Sequence, residues 1–129
     1  ADITIRLAGA DDVERLDMAL RHLSEAIGDP HGATPDQLRE AGFGSHPTFR
    51  AQLAEARDAV VGAALYSPVF STVRAGAGVY VSDLWVAASV RGAGLVHRLL
   101  AAVPRRPAAP RRAAVPSLLV HAATAPPPA

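Results

Sequence analysis

The hydrophobic pattern changes period several times along the chain, and each change marks an element. Ile3-Thr4-Ile5-Arg6-Leu7 alternates apolar and polar residues, the period of a half-buried strand. Val13, Leu16, Leu20, Leu23 and Ile27 then recur at intervals of three and four, which predicts one apolar stripe on a helix. Asp11 and Glu14 stand at capping-box spacing at its start, and Gly28 marks its end. After a loop from Asp29 to Ala33, Thr34, Pro35 and Gln37 supply an N-cap, a first-turn proline and an acceptor three residues on, for a short helix stopping at Gly42. Phe49, Ala51 and Leu53 alternate up to a tight turn at Arg57-Asp58, and residues 60–66 return as a buried antiparallel strand with Pro68 near its end. Ser71 to Gly78 reads as a second connection, and residues 79–86 form the strongest strand by their β-branched and aromatic content. Arg91-Gly92-Ala93-Gly94 then precedes Leu95, Val96, Leu99, Leu100 and Val103 on one helical face, which Pro104 stops. The predicted order is β, α, α, β, β, β, α, and beyond it only Ser117 to His121 has strand character.

Composition narrows the class. A chain of 129 residues, half of them hydrophobic and 19% charged, suits one compact domain. The absence of cysteine excludes a disulfide framework, a thiolate zinc site and a cysteine nucleophile. No apolar run approaches the ~20 residues needed to span a bilayer, and the first residues lack the basic start and apolar stretch of a signal peptide, so a cytoplasmic protein is expected, without a membrane partner. The net charge of +1 conceals an asymmetry: residues 1–103 carry nine arginines against all twelve acids, and residues 104–129 carry four arginines, seven of the eleven prolines and no glycine. With neither Lys nor Asn anywhere, GC-rich coding DNA is implied. An Ala/Pro/Arg tail is what a shifted frame of such DNA would encode, so a disrupted reading frame after Val103 is expected.

The loop at Arg91 to Gly94 carries the candidate chemistry. A strand that runs into a glycine-rich turn and opens a helix aims unpaired backbone N–H groups and the positive end of the helix dipole at one point, which suits a phosphate. It is not a P-loop, because Gly94 is not followed by Lys and Ser/Thr. A dinucleotide fingerprint also fails, since His97 stands at the third glycine position and no acidic residue follows about twenty positions on.

What remains, Arg91-x-x-Gly94 after Asp83-Leu84-Trp85-Val86, resembles a GCN5-related N-acetyltransferase (GNAT). Upstream, Ser71-Thr72-x-Arg74 with Gly78-x-Tyr80-x-x-Asp83-Leu84-x-Val86 is similar to the diamine and thialysine acetyltransferase branch. The resemblance implies an α/β fold with a mixed, mostly antiparallel sheet flanked by helices, here lacking the last helix and strands. Residues 1–103 would be the acetyltransferase domain and 104–129 an atypical tail with one strand. It implies acetyl-CoA as co-substrate, with the backbone of Leu84, Trp85 and Val86 on its pantetheine arm and the loop residues Arg91, Gly92, Ala93, Gly94, Leu95 and Val96 on its pyrophosphate. It implies transfer of acetyl to a primary amine of a small, polyamine- or lysine-like molecule, with Asp83 as catalytic proton acceptor and Asp29, His31 and Tyr80 around the acceptor.

Three positions depart from that pattern. Val96 stands where the loop has Gly or Ala, Ser82 replaces the branch's Glu, and the only tyrosines, Tyr66 and Tyr80, precede the helix that often carries a thiolate-protonating Tyr. These departures give a second expectation, a non-catalytic acyl-CoA binder or inactive remnant. His22, His46 and His121 show no metal-ligand spacing, so no metal is expected. Four tail arginines without interleaved aromatics do not make a nucleic-acid site. A sheet short of its last strands keeps an open edge, from which a homodimer is expected.

Overall fold

A computed structural model describes residues 2–73, 75–92 and 94–104, together with the backbone of 117–120. In chain order the elements are β1 (Thr4–Leu7), α1 (Val13–Ile27), α2 (Pro35–Phe43), β2 (Arg50–Ala56), β3 (Ala59–Ser71), β4 (Gly76–Val86), α3 (Leu95–Ala102) and β5 (Ser117–Val120), with 3-10 turns at Ala10–Asp12 and Ala88–Val90. They form one sheet in the order β1-β2-β3-β4-β5, antiparallel through β4, with β5 parallel to β4.

Entry into α1 differs from the expected box at Asp11 and Glu14. The helix starts after the 3-10 turn with Asp12 as N-cap, and the Asp12 carboxylate turns back to accept from the Gly9 N–H at 2.8 Å. The shift of one residue follows from Arg6 on β1, whose guanidinium grips both Asp12 oxygens at 2.8 Å and so fixes that carboxylate rather than Asp11. In α2 the predicted box is present: Gln37 N–H donates to Thr34 Oγ1 at 3.1 Å, and Thr34 N–H to Gln37 Oε1 at 2.9 Å. This helix does not stop at Gly42 but runs on to Phe43. Gly42 serves close packing instead, since a Cβ there would lie 2.5 Å from the Phe49 ring.

The connection expected from Ser71 to Gly78 is shorter than that, because Ser71 belongs to β3 and Gly76 to Gly78 to β4. Ladder pairing continues from Pro68↔Val79 to Ser71↔Gly76, leaving a short turn. Pro68 is tolerated because β2 ends opposite Tyr66, so the other edge of β3 has no strand there that needs its missing N–H. At the β2–β3 turn, Arg57 and Asp58 take φ of 53° and 67°, the twist a tight hairpin requires.

Each face of the sheet buries its own core. Against α1 and α2 lie Phe49, Ala51, Leu53, Ala63, Leu65 and Trp85; against α3 lie Val61, Ala64, Tyr66, Val79, Val81, Leu84 and Val86. Strict alternation would put Val81 and Trp85 on one side. They part because Leu65 pairs with Asp83 and Tyr66 with Val81, so Ser82 is an extra residue that reverses the phase of β4.

Candidate functional site

That bulge places the chemistry. Tyr80 and Ser82 face the α1–α2 side by ordinary alternation, and by reversing the phase the bulge turns Asp83 to that same side and brings Leu84 and Val86 into the α3 core. The Ser82 hydroxyl donates to Asp83 Oδ2 at 3.0 Å and lies 3.5 Å from the Leu65 carbonyl. Pairing with β5 covers only Gly78 to Val81. Among the described residues the backbone edge from Ser82 to Val86 on that side has no strand partner.

Past β4, Ala87 N–H donates to the Val61 carbonyl at 2.8 Å, and Arg91 Nε donates to the Val86 carbonyl at 3.2 Å, tying the loop to the strand end. Gly92 and Gly94 have φ of 89° and 73°, and a Cβ at either would meet nothing within 4 Å, so conformation rather than space calls for glycine there. Gly94 caps α3, whose first helical bond runs from Arg98 N–H to the Gly94 carbonyl at 3.1 Å. The amides of Leu95, Val96 and His97 precede that bond and point out of the helix end, where partial positive charge accumulates. Leu95 buries its side chain beneath the loop, so its backbone alone is available, while Val96 is 40% exposed on the first turn. Ala93 lies outside the described residues.

Between α1, α2 and β4 opens a cavity of about 590 Å³. Leu23, Ile27, Leu38, Ala41, Phe49 and Leu65 give it apolar walls, and Asp29, His31, Tyr80, Ser82 and Asp83 bring polar groups to it. The structure thus gathers Asp29, His31 and Tyr80 with Asp83 around one space. Leu84, Trp85 and Val86 do not line it: Leu84 and Val86 face the other core, and Trp85 stacks on His22 with ring centroids 5.2 Å apart. Any contact of these three with a ligand would run through their backbone.

His31 has a partner that the sequence reading missed. Its Nε2 lies 2.8 Å from Asp17 Oδ1, and Asp17 Oδ2 accepts from Arg21 Nε at 2.9 Å. Burial opposes ionisation of Asp17 most strongly, but the hydrogen bonds and charges of Arg21 and His31 together hold it below the usual carboxylate range. A signal existed: Asp17 stands four residues after Val13 and three before Leu20, an acid within an apolar stripe. Tyr66 sits on the opposite face, its hydroxyl accepting from Gln52 Nε2 at 3.0 Å and its acidity weakened by burial.

No family model and no curated protein sequence matches the chain. Solved structures do. An aminoglycoside acetyltransferase from an uncultured soil metagenomic sample, in complex with sisomicin, aligns over 78% of this chain and 66% of its own, with 15% identity and a TM-score of 0.65. The aminoglycoside N-acetyltransferase AAC(6')-Iy, in complex with CoA, aligns over 78% and 66% with 20% identity and a TM-score of 0.62. A ribosomal-protein-alanine N-acetyltransferase from Brucella melitensis biovar Abortus 2308 aligns over 78% and 68% with 18% identity and a TM-score of 0.61. The chain spans about two thirds of the length of these structures. Its α/β architecture is the N-acetyltransferase fold.

Proposed function

We propose that the protein transfers acetyl from acetyl-CoA to a primary amine of a small molecule. The observation that carries this is the combination of three features: a strand edge from Ser82 to Val86 without a strand partner among the described residues, the free amides at the start of α3 after Gly94, and the cavity beside Asp83. An extended pantetheine arm suits the free edge, as a strand would, and a pyrophosphate suits the amides of Leu95 to His97. A thioester at the start of that edge would lie beside the cavity. In this reading a backbone N–H between Leu84 and Val86 stabilises the carbonyl oxygen as it gains charge, and Asp29 and Asp83 draw in a cation. Asp83, the proton acceptor expected from the resemblance, lines the cavity, and a polyamine- or lysine-like acceptor is what the branch resemblance supports.

Val96 favours a second reading, a non-catalytic acyl-CoA binder, because its branched, exposed side chain stands where the backbone would approach the pyrophosphate. Calorimetric titration with coenzyme A and acetyl-CoA tests the site common to both. Thiol release with a panel of polyamines, lysine-like amines and apolar monoamines then separates them. Binding without turnover on any amine favours the binder, and no binding overturns both. We further propose a homodimer, since the open sheet edge is a template for association; light scattering at micromolar concentration checks it, and a strictly monomeric chain refutes it.

A further inference from the structure

We propose that His31, oriented by Asp17, takes the proton from the ammonium of the acceptor; this assignment rests on the acetyl-transfer reading above. The His31 side chain is only 12% exposed, lines the cavity, and comes from the loop between α1 and α2. Asp17, 11% exposed, has one oxygen taken by Arg21 and the other by His31. An ionised carboxylate accepts and never donates, so the hydrogen in this contact belongs to His31 Nε2. The neutral ring then carries its lone pair on Nδ1. Among the described residues the bond to Asp17 is the only hydrogen bond of the ring, so none of them donates to Nδ1 of this largely covered side chain.

The surrounding groups fit that role. Asp17 on α1 contacts His31 and Arg21 contacts Asp17; the titratable residues that line the cavity with His31 are Asp29 from its own loop and Tyr80 and Asp83 from β4, while α2 contributes Gln37, Leu38 and Ala41, none of which titrates. Among the described residues no Arg side chain lines the cavity to repel an ammonium. Asp83 already receives the Ser82 hydroxyl on one oxygen, and Ser82 stands where the related branch has a carboxylate. Imidazole changes charge close to neutral pH, nearer than carboxylates as a class, so it is the better matched base for an amine that must be neutral to attack.

The step balances without another reagent. One ammonium proton passes to His31 Nδ1, and the freed lone pair forms the nitrogen–carbon bond at the thioester carbonyl. The carbon–sulfur bond breaks with its electron pair on sulfur, sulfur takes the remaining surplus proton of the attacking nitrogen, and His31 returns its proton to solvent. Asp17 touches no reacting atom and acts as a positioning residue.

Two measurements on the full chain test this. The first is long-range proton–nitrogen spectroscopy of the histidine rings from about pH 5 to about pH 9, with 2-phenylethylamine and spermidine as probes and H31Q to assign the signal. The expected result is the Nε2–H tautomer in the free protein, an Nδ1 shift on adding either amine, and mixed tautomers in D17N. An Nδ1–H tautomer, or an Nδ1 signal that neither amine moves, overturns the proposal, whether or not the protein turns over. The second is thiol release from acetyl-CoA: H31Q should lose roughly 10²-fold or more in kcat, keep KM for acetyl-CoA, and lose the acid limb of the pH profile. Unchanged coenzyme A affinity in H31Q would show the fold intact. Should the wild type turn over and H31Q retain the acid limb, the assignment to His31 is wrong and acetyl transfer stands; should the wild type bind no coenzyme A, acetyl transfer falls and the spectroscopy alone decides whether His31 is an amine-directed base.

Discussion

Replacing Asp12 by Asn should cost stability that fades as the pH falls. Arg6 holds both Asp12 oxygens at 2.8 Å, also reaches Glu55 at 2.8 Å and 3.3 Å, and Arg15 pairs with Glu55 as well, so two carboxylates, each at most 15% exposed, share two guanidinium groups. The hydrogen bond from Arg6 is the main cause that carries the Asp12 carboxyl down from 3.8 to about 2, against its burial. At 1.36 kcal/mol per unit, that shift is worth up to about 2 kcal/mol, an upper figure because Arg6 is 39% exposed and screened. The sign follows from a lowered value: the contribution is complete above the unfolded value near 4 and is lost as the pH falls toward 2, with roughly half gone by about pH 3. Asn keeps an oxygen for the Gly9 N–H, so the variant removes charge rather than the cap. Urea unfolding of wild type and D12N at about pH 7 and about pH 3 should show a gap of about 2 kcal/mol shrinking to about 1. Equal gaps at both values would assign the loss to packing, and no gap at pH 7 would mean that the ion pairs merely offset their own desolvation.

Three further outcomes follow from the geometry. G42A gains about 1 kcal/mol of helix propensity but drives a methyl into the buried Phe49 ring, which Phe43 holds edge-on at 6.2 Å; overpacking of about 1–3 kcal/mol should win, and a higher melting temperature would contradict it. G94E should abolish coenzyme A binding by calorimetry, whereas G94A should weaken it only through the strain of a φ of 73°, so equal losses would place the phosphate elsewhere. V96G should tighten coenzyme A binding if the exposed valine limits backbone approach, and weaker binding would show that this position does not face the phosphate.

Much of the fold was legible because its signals are local. The Thr34-Pro35-x-Gln37 box, the left-handed Gly28 and the Arg57-Asp58 turn each act within a few residues, and each appears where its chemistry puts it. Legibility failed where a distant partner decides. Gly42 reads as a stop signal until Phe49, seven residues on, is seen to need the missing Cβ. Asp12 becomes the cap in place of Asp11 because Arg6 on β1 reaches it, and Pro68 reads as a strand end until the pairing with β2 is seen to stop opposite Tyr66, two residues short of it. For the candidate site the same division holds: the glycine turn was visible in sequence, while the Asp17–His31 contact spans fourteen residues and needed the fold to close it.

The bulge at Ser82 joins the core to the chemistry, and it explains why substitution there would do more than remove a hydroxyl. With unbroken alternation, Val79, Val81, Asp83 and Trp85 would share the α3 face, so a carboxylate and an indole would have to enter the core that Val81, Leu84, Leu95 and Leu99 now fill with aliphatic side chains. One extra residue returns Leu84 and Val86 to that core and presents Asp83 to the cavity. The two outcomes are one constraint, because a register that exposes Asp83 on the α1–α2 side is the same register that buries Leu84. Selection on packing alone would therefore preserve the direction in which Asp83 points, and the edge that begins at the bulge, without a strand partner among the described residues, leaves the following backbone open to a ligand.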